Sequence, residues 1–552
     1  MSRSISEQLQ GLVYKAVCSV AGVCVPAAQI KMEHPEAEEH GDYATNIALE
    51  LKGGRPLAEK VAGLIKSDDF EVSVAGSGFI NFKLKSDYLV SQLSKVEIPH
   101  TGKGRTVVVE YSSPNIAKPF GIGHLSSTII GQALYNLHQA LGYTVIGDNH
   151  LGDWGTQFGK IIYMIIKTKT DDYSIENLEK LYVQFHKLAE ANPALEQEGS
   201  LWFKKLEDKD PQARQIWQKC VEVSLAEFDR IYTLLGVKID NAYPESAYED
   251  LMPEVISQAK QGIARQSEGA WIIEIPGEKT PLMLVKSDGG TTYATRDLAT
   301  VKFRKQKWHP DLVIYEVGAE QALHFRQVFT AAQMLGYVRD RNTLIHTKHG
   351  LYLDTDGKKF ATRKGKTIKL DEVLNEAIDR ARKLGSDDGA TAQAVGIGAI
   401  KYFNLMHSIQ SDVVFDWEKI MALEGNSGPY LQYTYARTQS VLKKAPSAQR
   451  EDQSYELRAT NYELNEEELQ VLRWIYRYSE VVEEAATRYA PNLVCNFLFE
   501  LAQRFNTFYN KHSILQADSP QGRNFRLALT SNVGQVLKSG LQILGIEALE
   551  HM

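Results

Sequence analysis

Cysteine is scarce in this 552-residue chain: there are four, Cys18, Cys24, Cys220 and Cys495. So few, so scattered, make neither a disulfide framework nor a zinc site, and a reducing compartment is expected. Long apolar runs are missing too; nothing approaches the roughly 18 residues of a membrane-spanning helix. The opening MSRSISEQLQGLVYKAV carries Glu7. It has neither the apolar block of a signal peptide nor the arginine-rich texture of a transit peptide, so a cytoplasmic protein is expected. No repeat or low-complexity block is present. Nor is there a surplus of positive charge: 62 lysines and arginines stand against 69 aspartates and glutamates, a net charge of −7. That excludes a basic coat for indiscriminate nucleic-acid binding, but not a grip through local patches.

What is present is an ordinary globular composition, 43% hydrophobic and 24% charged. The length calls for about three or four domains or large insertions. Residues 1–98 read as a small α/β unit. Ile5, Leu9, Leu12, Val13 and Ala16 recur at helical spacing. GDYATNIALEL (41–51) sets an aspartate before a periodic apolar run, which predicts a helix start. FEVSVAGSGFINFKL (70–84) alternates as two strands around Gly76 and Gly78. Residues 99–424 have another texture. TVVVEYSS, TVIGD and LVIYEVG look like buried parallel strands, each followed by a helical pattern. This predicts a Rossmann-type α/β domain with insertions: a charged helical one at 174–236 and a hairpin at 271–285. Residues 425–552 carry only helical patterns, the expected α-helical bundle.

The segment 107–134, VVVEYSSPNIAKPFGIGHLSSTIIGQAL, is the sharpest. A strand runs into a turn holding Gly121, Gly123 and His124, and a helix begins. Amides at a helix N-terminus face an anion, glycines let backbone approach it, and an imidazole adds a donor. Four residues of this kind alone would suit an ordinary βα turn with a buried histidine equally well.

As a whole the stretch resembles the HIGH region of class I aminoacyl-tRNA synthetases, in the SPN-x-x-KP-x-HVGH-x-x-ST form of the arginyl enzymes. GDNHLGDWGTQFGK (147–160), TTYATRDLATVKFR (291–304) and YEVGAEQALHFRQVF (315–329) are similar to later blocks of that family. The likeness runs from GDYATN to LAQRFNTFY, nearly the whole chain, in order. It implies an arginine–tRNA ligase whose partners are arginine, tRNA(Arg) and ATP with Mg2+, with no tightly bound metal. It also implies a D-loop-contacting unit at 1–98, a catalytic domain at 99–424 and an anticodon-binding bundle at 425–552. No coiled-coil heptad points to a dimer, so a monomer is expected.

The resemblance also assigns residues. Gly121, Gly123 and His124, with Lys359, Phe360 and Thr362 of the KMSKS-like loop, would hold ATP. Glu110, Asn115 and Gln321 would hold the ammonium and carboxylate ends of arginine. Tyr293 and Asp297, one helical turn apart, would hold the guanidinium, with Glu245 as a further partner; a rigid fork of donors calls for carboxylates in bidentate geometry. Asn81, Phe82, Tyr430 and Tyr433 would touch tRNA, the tyrosines by stacking on bases. Two departures stand out. The first HIGH position, usually histidine, is Gly121, and the usual KMSKS lysine is Thr362. Lys118 is the nominated compensating cation, with Arg363 and Lys364 as alternatives. The two departures would also suit a non-catalytic relative. A small-molecule nucleotidylyltransferase could share the turn, but would need neither flanking unit.

Overall fold

The computed structural model describes residues 4–21, 24–354, 356–358, 369–385, 388–445 and 462–552. Its first unit sets helices Ile5–Ala21 and Gly54–Leu64 against an antiparallel sheet of order β1–β3–β2. The strands are β1 (Tyr43–Thr45), β2 (Phe70–Ala75) and β3 (Phe79–Leu84). The β2–β3 turn needs glycine: Gly78 has φ 141°, and a Cβ there would lie 2.8 Å from the Gly54 backbone. The helix expected at 41–51 is largely replaced. Tyr43–Thr45 fills the open edge of β3, Asp42 accepts the Leu84 N–H at 2.7 Å, and only Ile47–Glu50 turns helical. Cys18 and Cys24 are bonded to each other, six residues apart, while Cys220 and Cys495 are buried thiols.

The central domain is built on a parallel sheet of order β10–β9–β4–β5. β4 is Thr106–Glu110 and β5 is Thr144–Asp148. Helix Ile122–Ala140 connects them, burying Leu125, Ile129, Ala133, Leu134 and Leu137. β4 sits between two neighbours and is covered on both faces, which is why its valines are all buried and its sequence does not alternate. Between β5 and the rest of the sheet come four helices: Thr156–Thr168, Ile175–Ala191, Leu195–Glu207 and Pro211–Leu235. A separate antiparallel sheet follows, β6 (Ala264–Ser267), β7 (Ala270–Ile273) and β8 (Leu282–Val285). The expected hairpin is its β7–β8 pair, here joined by a third strand. Helix Tyr293–Trp308 then leads into β9 (Leu312–Tyr315), and helix Ala322–Met334 into β10 (Leu344–His346).

The last region is helical: Gly428–Lys444, Glu466–Ile475, Tyr478–Thr487, Asn492–Lys511 and Pro520–Ile543. The periodic run from Glu466 to Thr487 is two helices rather than one. Arg473, in the first of them, and Arg477, in the break, both turn onto Asp42 of the first unit. Asp42 is 1% exposed. Beside it, the Tyr43 hydroxyl donates to Glu480 Oε1 at 2.7 Å, and His34 Nε2 lies 3.1 Å from Glu480 Oε2. The first unit is thereby clasped to the bundle. Among the described residues no helix is long and apolar enough to cross a membrane.

Candidate active site

β4 has β5 on one side and β9 on the other, so the chain reverses its direction of travel across the sheet at β4. Open α/β sheets bind ligands in the crevice at such a reversal, beyond the carboxyl ends of the strands. A cavity of about 640 Å3 opens there, with Asn115, Gly121, Gly123, His124 and Gln321 in its walls. The loop leaving β4 is strained: Ser112, Ser113 and Ala117 have φ of 74°, 47° and 61°. Such conformations persist only where surrounding contacts enforce them. Here Ser127 Oγ accepts the Ser112 N–H at 3.0 Å and donates to the Glu316 carbonyl at 2.6 Å, tying the ends of β4 and β9 to the helix. Asn115 bridges to Gly152, where a Cβ would come within 2.4 Å of Asn115 Oδ1 and push that side chain aside.

His124 sits in the first turn of helix Ile122–Ala140. Its Nδ1 accepts the Gly121 N–H at 3.3 Å, which puts the proton on Nε2. Burial above all, with the charges of Lys118 and His349, pushes its pKa down to about 4, against the pull of the Gly121 hydrogen bond. The imidazole is therefore neutral near pH 7: a donor without net charge. A Cβ on Gly123 would meet nothing within 4 Å, so backbone there stays open to a ligand. Lys118 holds its ammonium 5.5 Å from the centre of the Tyr182 ring, and burial lowers its pKa. Lys359, Phe360, Thr362, Arg363 and Lys364 lie outside the described residues. Lys369, the next described residue after them, pairs with Gly121.

Helix Tyr293–Trp308 carries a second group of the expected residues, outside the lining of that cavity. Tyr293, 66% exposed, and Asp297 are one turn apart. Asp297 meets two imidazoles: His324 Nε2 is 2.5 Å from its Oδ2 and His150 Nε2 is 4.0 Å from its Oδ1. Burial alone would raise its pKa, but the hydrogen bond and charge of His324, with His150 and Arg304, hold it below the usual range. Glu245 is the opposite case. Burial outweighs the help of His150 and Arg296, the charges of Asp297 and Asp153 add to it, and its pKa is pushed up to about 7. Its Oε2 is buried without a hydrogen-bond partner, as is His150 Nδ1. A buried carboxylate oxygen left unpaired beside an ionised aspartate is a place prepared for a cation with several donors.

Two carried-over residues stand differently from expectation. Glu110, at the end of β4, is 5% exposed and paired at 2.5 Å with Arg304, which also binds Asp148 at 2.7 Å. Its charge is engaged inside the sheet by a fully buried guanidinium. Phe82 is wholly buried and packs edge-on against Phe70, so its ring faces the core of the first unit; neighbouring Asn81 is 5% exposed. In the bundle, Tyr430 is half-buried: its hydroxyl accepts from Asn506 at 2.9 Å and its ring packs on Phe499. Tyr433 is 45% exposed. The Arg437 guanidinium lies 4.9 Å from the ring centres of both Tyr433 and Tyr509. These side chains line a shallow cavity of about 280 Å3. His150, His324 and Arg437 were not singled out by sequence for these roles; a lone histidine or arginine carries no signal until its distant partner is known.

The catalytic-domain model described as tRNA synthetases class I (R) matches residues 87–417, the DALR anticodon binding domain matches 431–552, and the arginyl tRNA synthetase N terminal domain matches 2–84. An arginine–tRNA ligase of Chloroflexus aggregans is 38% identical, with 97% of this chain and 98% of that protein aligned. One of Clostridium botulinum is 35% identical over 96% and 97%. Arginyl-tRNA synthetase structures from Plasmodium falciparum and Thermus thermophilus superpose with TM-scores of 0.86 and 0.83 at 24% and 22% identity. They cover 100% and 99% of this chain and all of theirs, which speaks to the fold alone.

Proposed function

This chain belongs to the arginyl-tRNA synthetases, and from that premise and the geometry above we propose how its residues share the work of the reaction. The enzyme is an arginine–tRNA ligase. The carboxylate of arginine attacks the α-phosphate of ATP, expelling pyrophosphate and forming arginyl-adenylate. A terminal ribose hydroxyl of tRNA then attacks the acyl carbon, and AMP leaves. The attacking carboxylate is already an anion, so the first step asks no side chain to remove a proton. Catalysis rests on alignment and on donors aimed at the phosphates.

ATP enters as its Mg2+ complex in the crevice at the end of β4. His124 Nε2, the amides opening its helix and the open backbone at Gly121 and Gly123 receive the phosphates, with Lys118 and the 359–363 segment supplying positive charge. Asn115 and Gln321 take the ammonium and carboxylate ends of arginine. Asp297, Tyr293 and Glu245 take its guanidinium, and the unpartnered Glu245 oxygen is the observation that carries the choice of a forked cation. Tyr433, with Arg437 and Tyr509, offers stacking surface to an unpaired base. Residues 1–98, 99–424 and 425–552 divide into tRNA-contacting, catalytic and anticodon-binding units. We take the enzyme to act in the cytoplasm, where ATP and tRNA are both present, and to act as a monomer. Charging of total tRNA with each of the twenty amino acids tests the reading: arginine alone should be attached, and no attachment of arginine overturns it.

A further inference from the structure

The phosphate site described so far has no charged imidazole. His124 is neutral, and Gly121 stands where the family usually has a second imidazole. Another histidine lines the same cavity: His349. β9 and β10 run side by side, and the chain beyond each carries one member of a pair. Glu316, just past β9, has no exposed surface. Its Oε1 lies 2.7 Å from His349 Nδ1, and its other oxygen accepts the Thr347 hydroxyl. Backbone bonds fix both partners: Glu316 N–H donates to the Glu110 carbonyl at 2.9 Å, and the His349 carbonyl accepts the Ala319 N–H at 3.0 Å.

A fully buried carboxylate is costly unless paired with a cation. Among the described residues, the cation paired with Glu316 is the imidazolium of His349. Burial would lower the pKa of that ring, but the charge and hydrogen bond of Glu316, with a contribution from Glu320, raise it. With Nδ1 held by Glu316, the remaining donor is Nε2, and among the described residues it has no partner. Carboxylate and imidazolium together form a dipole whose positive end is that Nε2–H. Its effect is directional rather than a net attraction.

We infer that His349, oriented by Glu316, is a second imidazole of the phosphate site, donating its Nε2–H to the ATP phosphates in place of the side chain that Gly121 lacks. The inference rests on the reading of this cavity as the ATP site.

Calorimetry with ATP and with adenosine, on the full chain, separates the phosphates from the nucleoside. His349→Gln should weaken ATP binding about tenfold or more, the worth of one charge-assisted hydrogen bond. Adenosine affinity and the KM for arginine should stay within about twofold. Equal losses for ATP and adenosine, or no loss for ATP, overturn the inference; failure of the wild type to bind ATP overturns the reading of the cavity instead. Should His349→Gln not fold, Glu316→Gln keeps the amide acceptor and removes the charge. The ratio of ATP dissociation constants for the two proteins, which cancels the titration of ATP itself, is then followed from pH 5.5 to 8.5. Other groups interacting with the ring are Glu320, His346 and His124, with exposed Lys348 acting on His346, and both of those histidines are held near 4, below the window. Wild-type binding should loosen as pH rises through the raised pKa of His349, and the loosening should begin at lower pH in Glu316→Gln. Coincident profiles overturn the inference.

Discussion

Glu245 makes arginine binding sensitive to pH near neutrality. Its folded pKa of about 7 lies above the ordinary carboxylate value of 4.5, burial being the main cause. For such a group the fold favours the protonated form. Its cost to stability is absent below about pH 4.5, grows as pH rises, and is complete above pH 7, where it reaches about 3 kcal/mol. A guanidinium, charged at every relevant pH, binds best once Glu245 is ionised. The ionised fraction climbs from roughly 10% at pH 6 to roughly 90% at pH 8, so KM for arginine should fall on the order of tenfold between them. His324, whose own pKa is raised by Asp297, adds to the slope by occupying Asp297 at low pH. Glu245→Gln separates the two: it should flatten the Glu245 part of the profile. At pH 7, calorimetry in buffers of different ionisation enthalpy should detect about half a proton released per arginine bound by the wild type, and less by the variant. Without arginine the variant should melt higher than the wild type at pH 8. A Gln variant that keeps the full slope and the full proton release would remove Glu245 from the pocket.

Asp297→Asn, nearly isosteric, should lower kcat/KM for arginine by about thirtyfold to several thousandfold, the 2–5 kcal/mol of a broken buried charge pair, and leave KM for ATP within twofold; ordinary arginine kinetics would dismiss Asp297. Lys118→Ala should slow adenylate formation far more than it changes KM for arginine, since charge on the phosphates develops in the transition state; an unchanged kcat would leave Lys118 a packing partner of Tyr182. Tyr433→Ala should weaken tRNA charging by about 1–3 kcal/mol with little change in melting temperature, whereas Tyr430→Ala should lower the melting temperature. The reverse pattern would mean that the half-buried ring, not the exposed one, meets the RNA.

β4 and β9 were legible because buried strands write uninterrupted apolar runs, β5 from the shorter Val145–Ile146 pair although it is a half-exposed edge strand, and Tyr293 and Asp297 because a helix puts positions four apart on one face. What stayed hidden depends on partners far away in sequence. His150 and Asp297 are 147 positions apart, Glu316 and His349 33. Tyr43–Thr45 became a strand because β3 had an unfilled edge, a fact about the sheet and not about 41–51. Phe82 is a different lesson. The alternation that predicts β3 already sets Phe82 with Ile80 and Leu84 on one face, and that face is the core. There the local pattern was the better guide than the carried-over role. The contacts of Arg473 and Arg477 with Asp42, at the split in the 466–487 run, are likewise ones no local pattern reports.

Asp42 also has a history written into its position. Its cation, Arg473, lies 431 residues further along the chain. At about 5–20 residues per second, a ribosome needs roughly 20–90 s to deliver that arginine after the aspartate has emerged. Through that interval the first unit holds a carboxylate whose neutralising partner does not yet exist, on a surface destined for burial. The clasp between the first and last parts of the enzyme therefore cannot close until synthesis has passed residue 473, however early the first unit folds.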